Sequence, residues 1–338
     1  MISENRFHEI LSRFHTILPV LVVGDVGIDK YTFGEVRRIS PEAPVPVLEV
    51  TKEWQKLGLA SNVTDNLQSL GVTSTLCGVI GDDNMGNVFE HLLEEQKLKT
   101  WGLVRVSNRS TILKERVITN TQQICRIDYE SKEPIDSETK NKILSRTNAL
   151  NPNHSALIIE DYGKGLISED VAQALINAYI EMGKIICVDP SRSTPPLWYK
   201  GATLLKPNRH EAIIMAEYLG YKEKDISKIA SLLVEKLNLK KIIITLSSEG
   251  MALLDTEHDG KMHVIPTVAN EVFDVSGAGD TAISAITASL IAGGTLEEAA
   301  WIGNCASGVV VGKKGTALVN QDELKTFYNN LKNKLKNA

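Results

Sequence analysis

"DVSGAGDTAISAITASLIAGG", from Asp274 to Gly294, sets two glycines and an acid at the mouth of a long apolar segment. Ile283, Ile286, Leu290 and Ile291 recur at helical spacing, and Gly293 and Gly294 close the run, so a helix begins near Gly279 and Asp280. A helix N-terminus carries unpaired N–H groups and a partial positive charge. Glycines there let a ligand approach the backbone closely, and the combination forms an anion site, most often for phosphate. A second reading stays open at this point: a glycine turn with Asp280 as a first-turn acid stabilised by the helix dipole.

Upstream, short apolar runs alternate with helical patterns. Val20 to Val23, "SALIIEDYGKG" (Ser155–Gly165), "KIICVDPS" (Lys184–Ser191), "ATLLKPN" (Ala202–Asn208) and "KKIIITLSSEG" (Lys240–Gly250) each end in an acid, Pro, Asn, Ser or Gly. Strands apolar throughout, separated by helices, indicate an α/β fold with a mainly parallel sheet between helix layers, and ligands bind at the carboxyl ends of such strands. Two stretches break the pattern. Residues 31–56 are rich in Pro and β-branched residues, and residues 110–129 alternate apolar and polar like a two-stranded antiparallel piece. Together they are expected to form a small β-lid inserted in a core made of 1–30, 57–109 and 130–338.

The chain has 338 residues, 43% hydrophobic and 23% charged, with net charge −5. That is ordinary for a globular protein, and without a basic face no nucleic-acid partner is expected. Cys77, Cys125, Cys187 and Cys305 lie far apart in apolar runs, which fits core burial and a reducing cytosol. No apolar run reaches membrane-spanning length, and the N-terminus lacks the apolar centre of a signal peptide, so a cytoplasmic protein with no membrane partner is expected.

The order Gly24-Asp25, Asp29, Gly58, Asn62, Gly81-Asp82, Gly86, "KPNRHEA" and "DVSGAGDT" resembles the ribokinase-like, or PfkB, carbohydrate kinases over nearly the whole chain. "VVGDVGIDKYTFGEVRRISPEAPVPVLEV", "STILKERVITNTQQICRIDYE", "EDYGKG" and "GVVVGKKGT" are similar to the branch that phosphorylates D-glycero-β-D-manno-heptose 7-phosphate to the 1,7-bisphosphate on the way to ADP-heptose and lipopolysaccharide. Some members carry a following cytidylyltransferase-like domain, and a chain ending at Ala338 would be the kinase-only form.

The resemblance implies ATP and Mg²⁺ as cofactors, with K⁺ as a monovalent ion. It makes Asp280 the base for the acceptor hydroxyl and Gly277, Ala278 and Gly279 the anion hole. It places Asn208, Thr245, Gly250 and Asn304 around the nucleotide. Asn208 and Glu211 would order Mg²⁺ through water, although a capping box explains the same pair. Asp274 and Ser276 match the monovalent cation site, and loop hydrogen bonding is the alternative. Asp29, Gly58 and Asn62 match sugar contacts. Lys114 and Arg116 on the lid are candidates for the substrate phosphate, followed by Arg37, Arg38 and Lys164, with a solvated strand face as the other reading. A homodimer through the lid is expected, because the lid would otherwise leave an open apolar face.

Two positions depart from the family pattern. Leu59 stands where a second glycine is usual, and we expect its backbone to have adjusted to negative φ. Asp189-Pro190-Ser191-Arg192 stands where the heptose kinases read D-P-K-G, so Arg192 is a compensation or a change of specificity. A family kinase for another sugar or sugar phosphate, or a catalytically weak nucleotide or sugar sensor, are the alternative functions.

Overall fold

The structure is a computed structural model that describes residues 2–120, 122–269, 272–313, 315 and 317–336. Lys314 and Thr316 of the "GVVVGKKGT" stretch therefore lie outside the described residues. Among the described residues, thirteen strands form two sheets. The larger has nine strands: β1 (Val20–Gly24), β4 (Ser74–Gly81), β5 (Leu103–Val106), β8 (Ala156–Glu160), β9 (Ile185–Asp189), β10 (Leu204–Leu205), β11 (Lys241–Thr245), β12 (Met251–Asp255) and β13 (Met262–Ile265). Their order is β13-β12-β11-β10-β9-β8-β1-β4-β5. The pairings from β11 through β5 are parallel, and only the β11-β12-β13 end is antiparallel.

Alternation along each strand divides the core. Val20 and Val22 pack with Phe7 and Ile10 of α1 (Glu4–Ser12), Val63 and Leu67 of α2 (Ala60–Ser69), Phe89 of α3 (Asn84–Glu95), and the apolar faces of α8 (Ala278–Ile291), α9 (Leu296–Val311) and α10 (Gln321–Lys336). Leu21 and Val23 point the other way, to α4 (Ser137–Leu150), α5 (Glu169–Glu181), α6 (Arg209–Tyr218) and α7 (Ile226–Leu237). The expected fold is present: an α/β core with a mainly parallel sheet between two helix layers, plus a second small sheet. Three of the cysteines are buried as expected, but Cys125 is exposed, because it lies on an outward strand of the second sheet rather than in the core.

That second sheet has four strands in the order β3-β2-β6-β7: β2 (Val26–Ile39), β3 (Pro46–Leu59), β6 (Ile112–Ile118) and β7 (Gln123–Tyr129). Its strands start before and end after the 31–56 segment, since β2 and β3 each run 14 residues without a break from the core outward. Asp29 and Gly58 are thus inside the ladder rather than on a connecting loop. The helix starts follow the sequence closely: Thr295 and Glu298 cap α9 reciprocally, as S/T-x-x-E predicts.

Candidate active site

Helix α8 begins at Gly277, which takes φ 80°, a left-handed conformation that glycine adopts without strain. The turn sets Asp280 in the first helical turn, and the N–H of Ala278 at the helix start donates to the Val275 carbonyl at 3.2 Å. Asn62, in the first turn of α2, donates from Nδ2 to Asp280 Oδ2 at 2.6 Å, and the Tyr162 hydroxyl donates to Oδ1 at 2.9 Å. Burial pushes the Asp280 carboxyl up from its ordinary value, and Asp189 adds to the rise against these two hydrogen bonds.

Tyr162 is held by a device of its own. The buried Asp25 carboxylate, at the end of β1, accepts backbone N–H bonds from Tyr162 (3.2 Å), Lys164 (3.0 Å) and Leu166 (3.2 Å). Burial still pushes Asp25 up to about 6, with the charge of Asp161 adding to it. The loop after β8 is thereby fixed to the end of the neighbouring strand.

The carboxyl ends of β8, β9 and β10 converge below α8. Carboxylate oxygens of Glu160, Asp189 and Asp280 all lie within 4.8 Å of one another. Lys206, 3% exposed, stands 2.7 Å from Asp189 Oδ2. Its Nζ is 3.7 Å from where a Cβ on Gly279 would sit, so the ammonium faces the start of α8. Glu160 is 2% exposed, and its Oε2 has no hydrogen-bond partner among the described residues. Its carboxyl is raised well above the ordinary range by burial and then by the charges of Asp189 and Asp280. Three carboxyl groups face one ammonium, and the donors are all hard oxygens, the set a divalent cation such as Mg²⁺ accepts.

Sequence reasoning missed Glu160, Tyr162, Asp189 and Lys206 as site residues. A signal for them was available, since each stands at or just past the carboxyl end of a buried strand. The structure also answers the D-P-K-G departure. Arg192 is exposed, and the ammonium beside Asp189 is that of Lys206, from the next strand.

The remaining expected residues fall into three groups. Asn208 and Glu211 form the capping box of α6: Glu211 N–H donates to Asn208 Oδ1 at 2.9 Å and Asn208 N–H to Glu211 Oε2 at 2.8 Å. Thr245 bridges to Asn208, Gly250 closes the turn from β11 into β12 at φ 99° and lies against the Ile265 carbonyl, and Asn304 donates to the Pro266 carbonyl at 2.7 Å. Asp274 accepts from Ser276 N–H at 2.9 Å and Gly315 N–H at 3.1 Å, the loop hydrogen bonding that was the alternative to an ion site. On the lid, Arg116 Nη1 meets Asp29 Oδ1 at 2.5 Å, and Gly58 lies so close that a Cβ there would be 2.9 Å from Asp29 Oδ2. Lys114 is drawn to Glu130 (3.0 Å) and Asp128 (3.4 Å), and Lys164 to the same Glu130 (2.5 Å). Arg37 and Arg38 are exposed far along β2, with Arg37 paired to Glu35.

One expectation is overturned. Leu59 has φ 57° and ψ −137°, a region L-residues rarely adopt, and its side chain is 8% exposed. The leucine occupies the glycine's backbone conformation instead of relaxing it. β3 must turn into α2 at this residue while Asn62 reaches Asp280, and that double constraint fixes the angle. Relief of strain in Leu59→Gly is worth about 1–3 kcal/mol. Loss of the buried side chain costs about 1.5–3 kcal/mol, and glycine's chain entropy about 0.5–1 kcal/mol more. We expect a net loss of about 1 kcal/mol in a thermal melt, with kcat/KM for the sugar moving less than about tenfold. A larger rise in kcat/KM would show that the leucine obstructs the sugar.

A family model described as "pfkB family carbohydrate kinase" matches residues 20–323. The chain belongs to the pfkB family of carbohydrate kinases. It is therefore a sugar kinase, a phosphotransferase with an alcohol group as acceptor, and kinases of this family use ATP with a divalent metal. The bifunctional protein HldE of Nitratiruptor sp. is 40% identical over 308 residues, covering 91% of this chain and 64% of that protein. HldE of Citrifermentans bemidjiense is 41% identical over 321 residues, covering 95% of this chain and 65% of that one. This kinase thus spans less than two thirds of those curated relatives. Among solved structures, phosphofructokinase-2 of Escherichia coli in complex with potassium superposes with a TM-score of 0.75 at 19% identity, covering 94% of this chain and 100% of that one. Arabidopsis thaliana ribokinase complexed with ribose and ATP gives 0.69 at 19% identity, with 92% and 98% covered. Among the described residues no helix is long and apolar enough to cross a membrane.

Proposed function

We propose that this sugar kinase acts in the cytoplasm on D-glycero-β-D-manno-heptose 7-phosphate, transferring the γ-phosphoryl group of ATP to the anomeric hydroxyl. The observation that carries the reading is Asp280, raised by burial and held at both oxygens by Asn62 and Tyr162, at the mouth of α8 and across from the cationic lid. The heptose is read from the resemblance to HldE over most of this chain.

In this mechanism Asp280 takes the proton of the anomeric hydroxyl as its oxygen attacks the γ-phosphorus. The bond from that phosphorus to the bridging oxygen breaks, ADP leaves with the electron pair, and the sugar 1,7-bisphosphate remains. The N–H groups of Gly277, Ala278 and Gly279 would stabilise the charge on the transferring group, that of Ala278 by exchanging its bond to the Val275 carbonyl, and Lys206 adds a buried positive charge beside the start of α8. Asp29, with Asn62, binds sugar hydroxyls, and Gly58 leaves room for Asp29. Thr245, Gly250 and Asn304 line the nucleotide side. Mg²⁺ would be held by Glu160 and Asp189, with Asn208 and Glu211 acting through water, and would neutralise phosphate charge. K⁺ would sit at Asp274 and Ser276. A homodimer through the lid accounts for the exposed Val36, Ile39, Val50, Ile127 and Tyr129 of that sheet.

The buried, strained Leu59 beside Asn62 favours one alternative, a different phosphorylated sugar. The test is ADP formation with ATP and Mg²⁺ across heptose 7-phosphate, fructose 6-phosphate, free heptose, ribose and fructose. We expect kcat/KM for heptose 7-phosphate to lead by at least about tenfold, the scale of a few good polar contacts. Another sugar leading by that margin would replace the heptose reading, and no turnover of any sugar would favour a sensor.

A further inference from the structure

Two donors orient Asp280, Asn62 and Tyr162, and both are attached to the lid. The four lid strands leave the core at one end of the small sheet, where Val26 lies opposite Leu59, Gly27 opposite Ile112 and Leu113 opposite Tyr129. At that end β3 runs straight into α2, which carries Asn62. The loop carrying Tyr162 is bound to the other three strands. Asp25, which holds three of its backbone N–H groups, immediately precedes β2. Lys164 pairs with Glu130, the residue after β7. The remaining tie, to β6 and β7 together, is the side chain of Arg109.

Arg109 stands shortly before β6 on a segment with little freedom. Thr111 donates to Asp83 from its N–H and from its hydroxyl, each at 2.8 Å, and a Cβ on Gly81 would lie 2.4 Å from the Arg109 carbonyl oxygen. From that fixed point the guanidinium donates to three backbone carbonyls: Glu133 at 2.8 Å, Ser131 at 3.1 Å, and Lys164. The first two belong to the chain leaving β7, and the third lies just beyond Tyr162 on its loop. These two segments also touch directly. Ile135 N–H donates to the Gly165 carbonyl at 3.0 Å, and a Cβ on Gly165 would lie 2.1 Å from the Glu133 carbonyl oxygen. Among the described residues, the hydrogen bonds of the Arg109 side chain all go to main-chain carbonyls. A planar guanidinium with donors in a fixed fork can bridge three carbonyls at set angles, which a compact ammonium cannot match.

We propose that Arg109 is a positioning residue: it locks the roots of β6 and β7 to the loop of Tyr162, so that the Tyr162 hydroxyl meets Asp280 when the lid is in place over the sugar. This rests on the reading that Asp280 is the base. Proton transfer needs its acceptor within hydrogen-bond reach of the hydroxyl and correctly turned, and a misplacement of about 1 Å costs up to about 10²-fold in rate. Arg109 acts on that step at second hand, through the 2.9 Å bond from Tyr162 to Asp280 Oδ1. The same junction puts lid and base under common control, because a lid displaced from its seat carries the loop with it and loosens the hold on Asp280.

The experiment is a double-mutant cycle on kcat of the full chain with ATP, Mg²⁺ and heptose 7-phosphate, or the sugar that outruns it in the screen above. Wild type, Arg109→Met, Tyr162→Phe and the double variant are compared, with the KM for ATP and a thermal melt of each. We expect Arg109→Met and Tyr162→Phe each to lower kcat by about tenfold, with the KM for ATP changing less than about threefold. In the Tyr162→Phe background the Arg109 substitution should lower kcat by less than about twofold more, because the bond it acts through is already gone. Arg109→Lys, which keeps the charge and part of the donor set, should recover part of the rate. If Arg109→Met does not fold at the assay temperature, Arg109→Gln takes its place in the cycle. A kcat of the folded Arg109 variant within about threefold of wild type overturns the assignment. So do losses that multiply in the double variant, the result for a residue that supports the fold without acting on Tyr162. Asp280→Asn separates this from the underlying reading. If that variant turns over normally, the base reading falls and the role of Arg109 with it; if it is slow while the losses in the cycle multiply, only the role of Arg109 falls.

Discussion

Replacing Asp280 with asparagine should lower kcat by about 10²-fold or more, the scale of losing a general base, while leaving ATP binding nearly intact. The substitution keeps the shape of the side chain: its oxygen can still accept from Asn62 Nδ2, and its new N–H group can donate to the Tyr162 hydroxyl oxygen, so both groups that orient the carboxylate remain engaged. What disappears is the ability to take a proton. Burial already raises the Asp280 carboxyl above its ordinary value, which brings its basicity nearer to the operating pH. The rate of the wild type should therefore rise with pH as Asp280 loses its proton, at a pH above that of an ordinary aspartate, and the asparagine variant should lack that rise. Steady-state kinetics across pH, with the KM for ATP measured alongside, check both statements. Near-normal turnover in Asp280→Asn would remove Asp280 as base and return it to a dipole-stabilised first-turn acid.

How much of this site the sequence discloses depends on whether a residue's role is local. The helix start at Gly277 to Asp280, the capping boxes of α6 and α9 and the alternating strands of the lid are all decided within a few residues, so spacing reveals them. The grouping of Glu160, Asp189 and Lys206 is different. Each residue ends a separate strand, and only the parallel order of β8, β9 and β10 makes them neighbours. Lys114 and Arg116 illustrate the same limit. Both face the same side of β6, yet one is taken up by Glu130 and the other by Asp29, a division set by which strands flank them. Leu59 is the sharpest case. From sequence, a leucine in a glycine's place argues for an altered backbone; the packing of β3 against α2 keeps the backbone and strains the leucine.

Lys206 is where structure and chemistry have to be separated by experiment. Lys206→Met leaves Glu160, Asp189 and Asp280 without their buried cation. Breaking such a pair by removing one partner costs about 3–5 kcal/mol, so the variant should melt well below wild type at pH 7. Without the ammonium the acids ionise less readily in the folded state than in the unfolded chain, so the folded form binds more protons. Its stability should then improve as pH falls toward 5 and worsen as pH rises. Catalysis should fall as well, by about 10²-fold in kcat, because a preorganised positive charge beside the start of α8 acts on the transferring phosphoryl group. The double variant Lys206→Met/Asp189→Asn tells the two effects apart. Neutralising Asp189 removes the uncompensated charge, so the melting temperature should recover much of the loss. Because Asp189 would also hold the metal, kcat of the double variant is compared with that of Asp189→Asn alone: if Lys206 acts on the phosphoryl group, the double variant falls well below that single variant, since no cation has returned to the site. If the two have the same kcat, Lys206 serves only to hold Asp189, and the positive charge on that side of the transferring group must come from the metal alone.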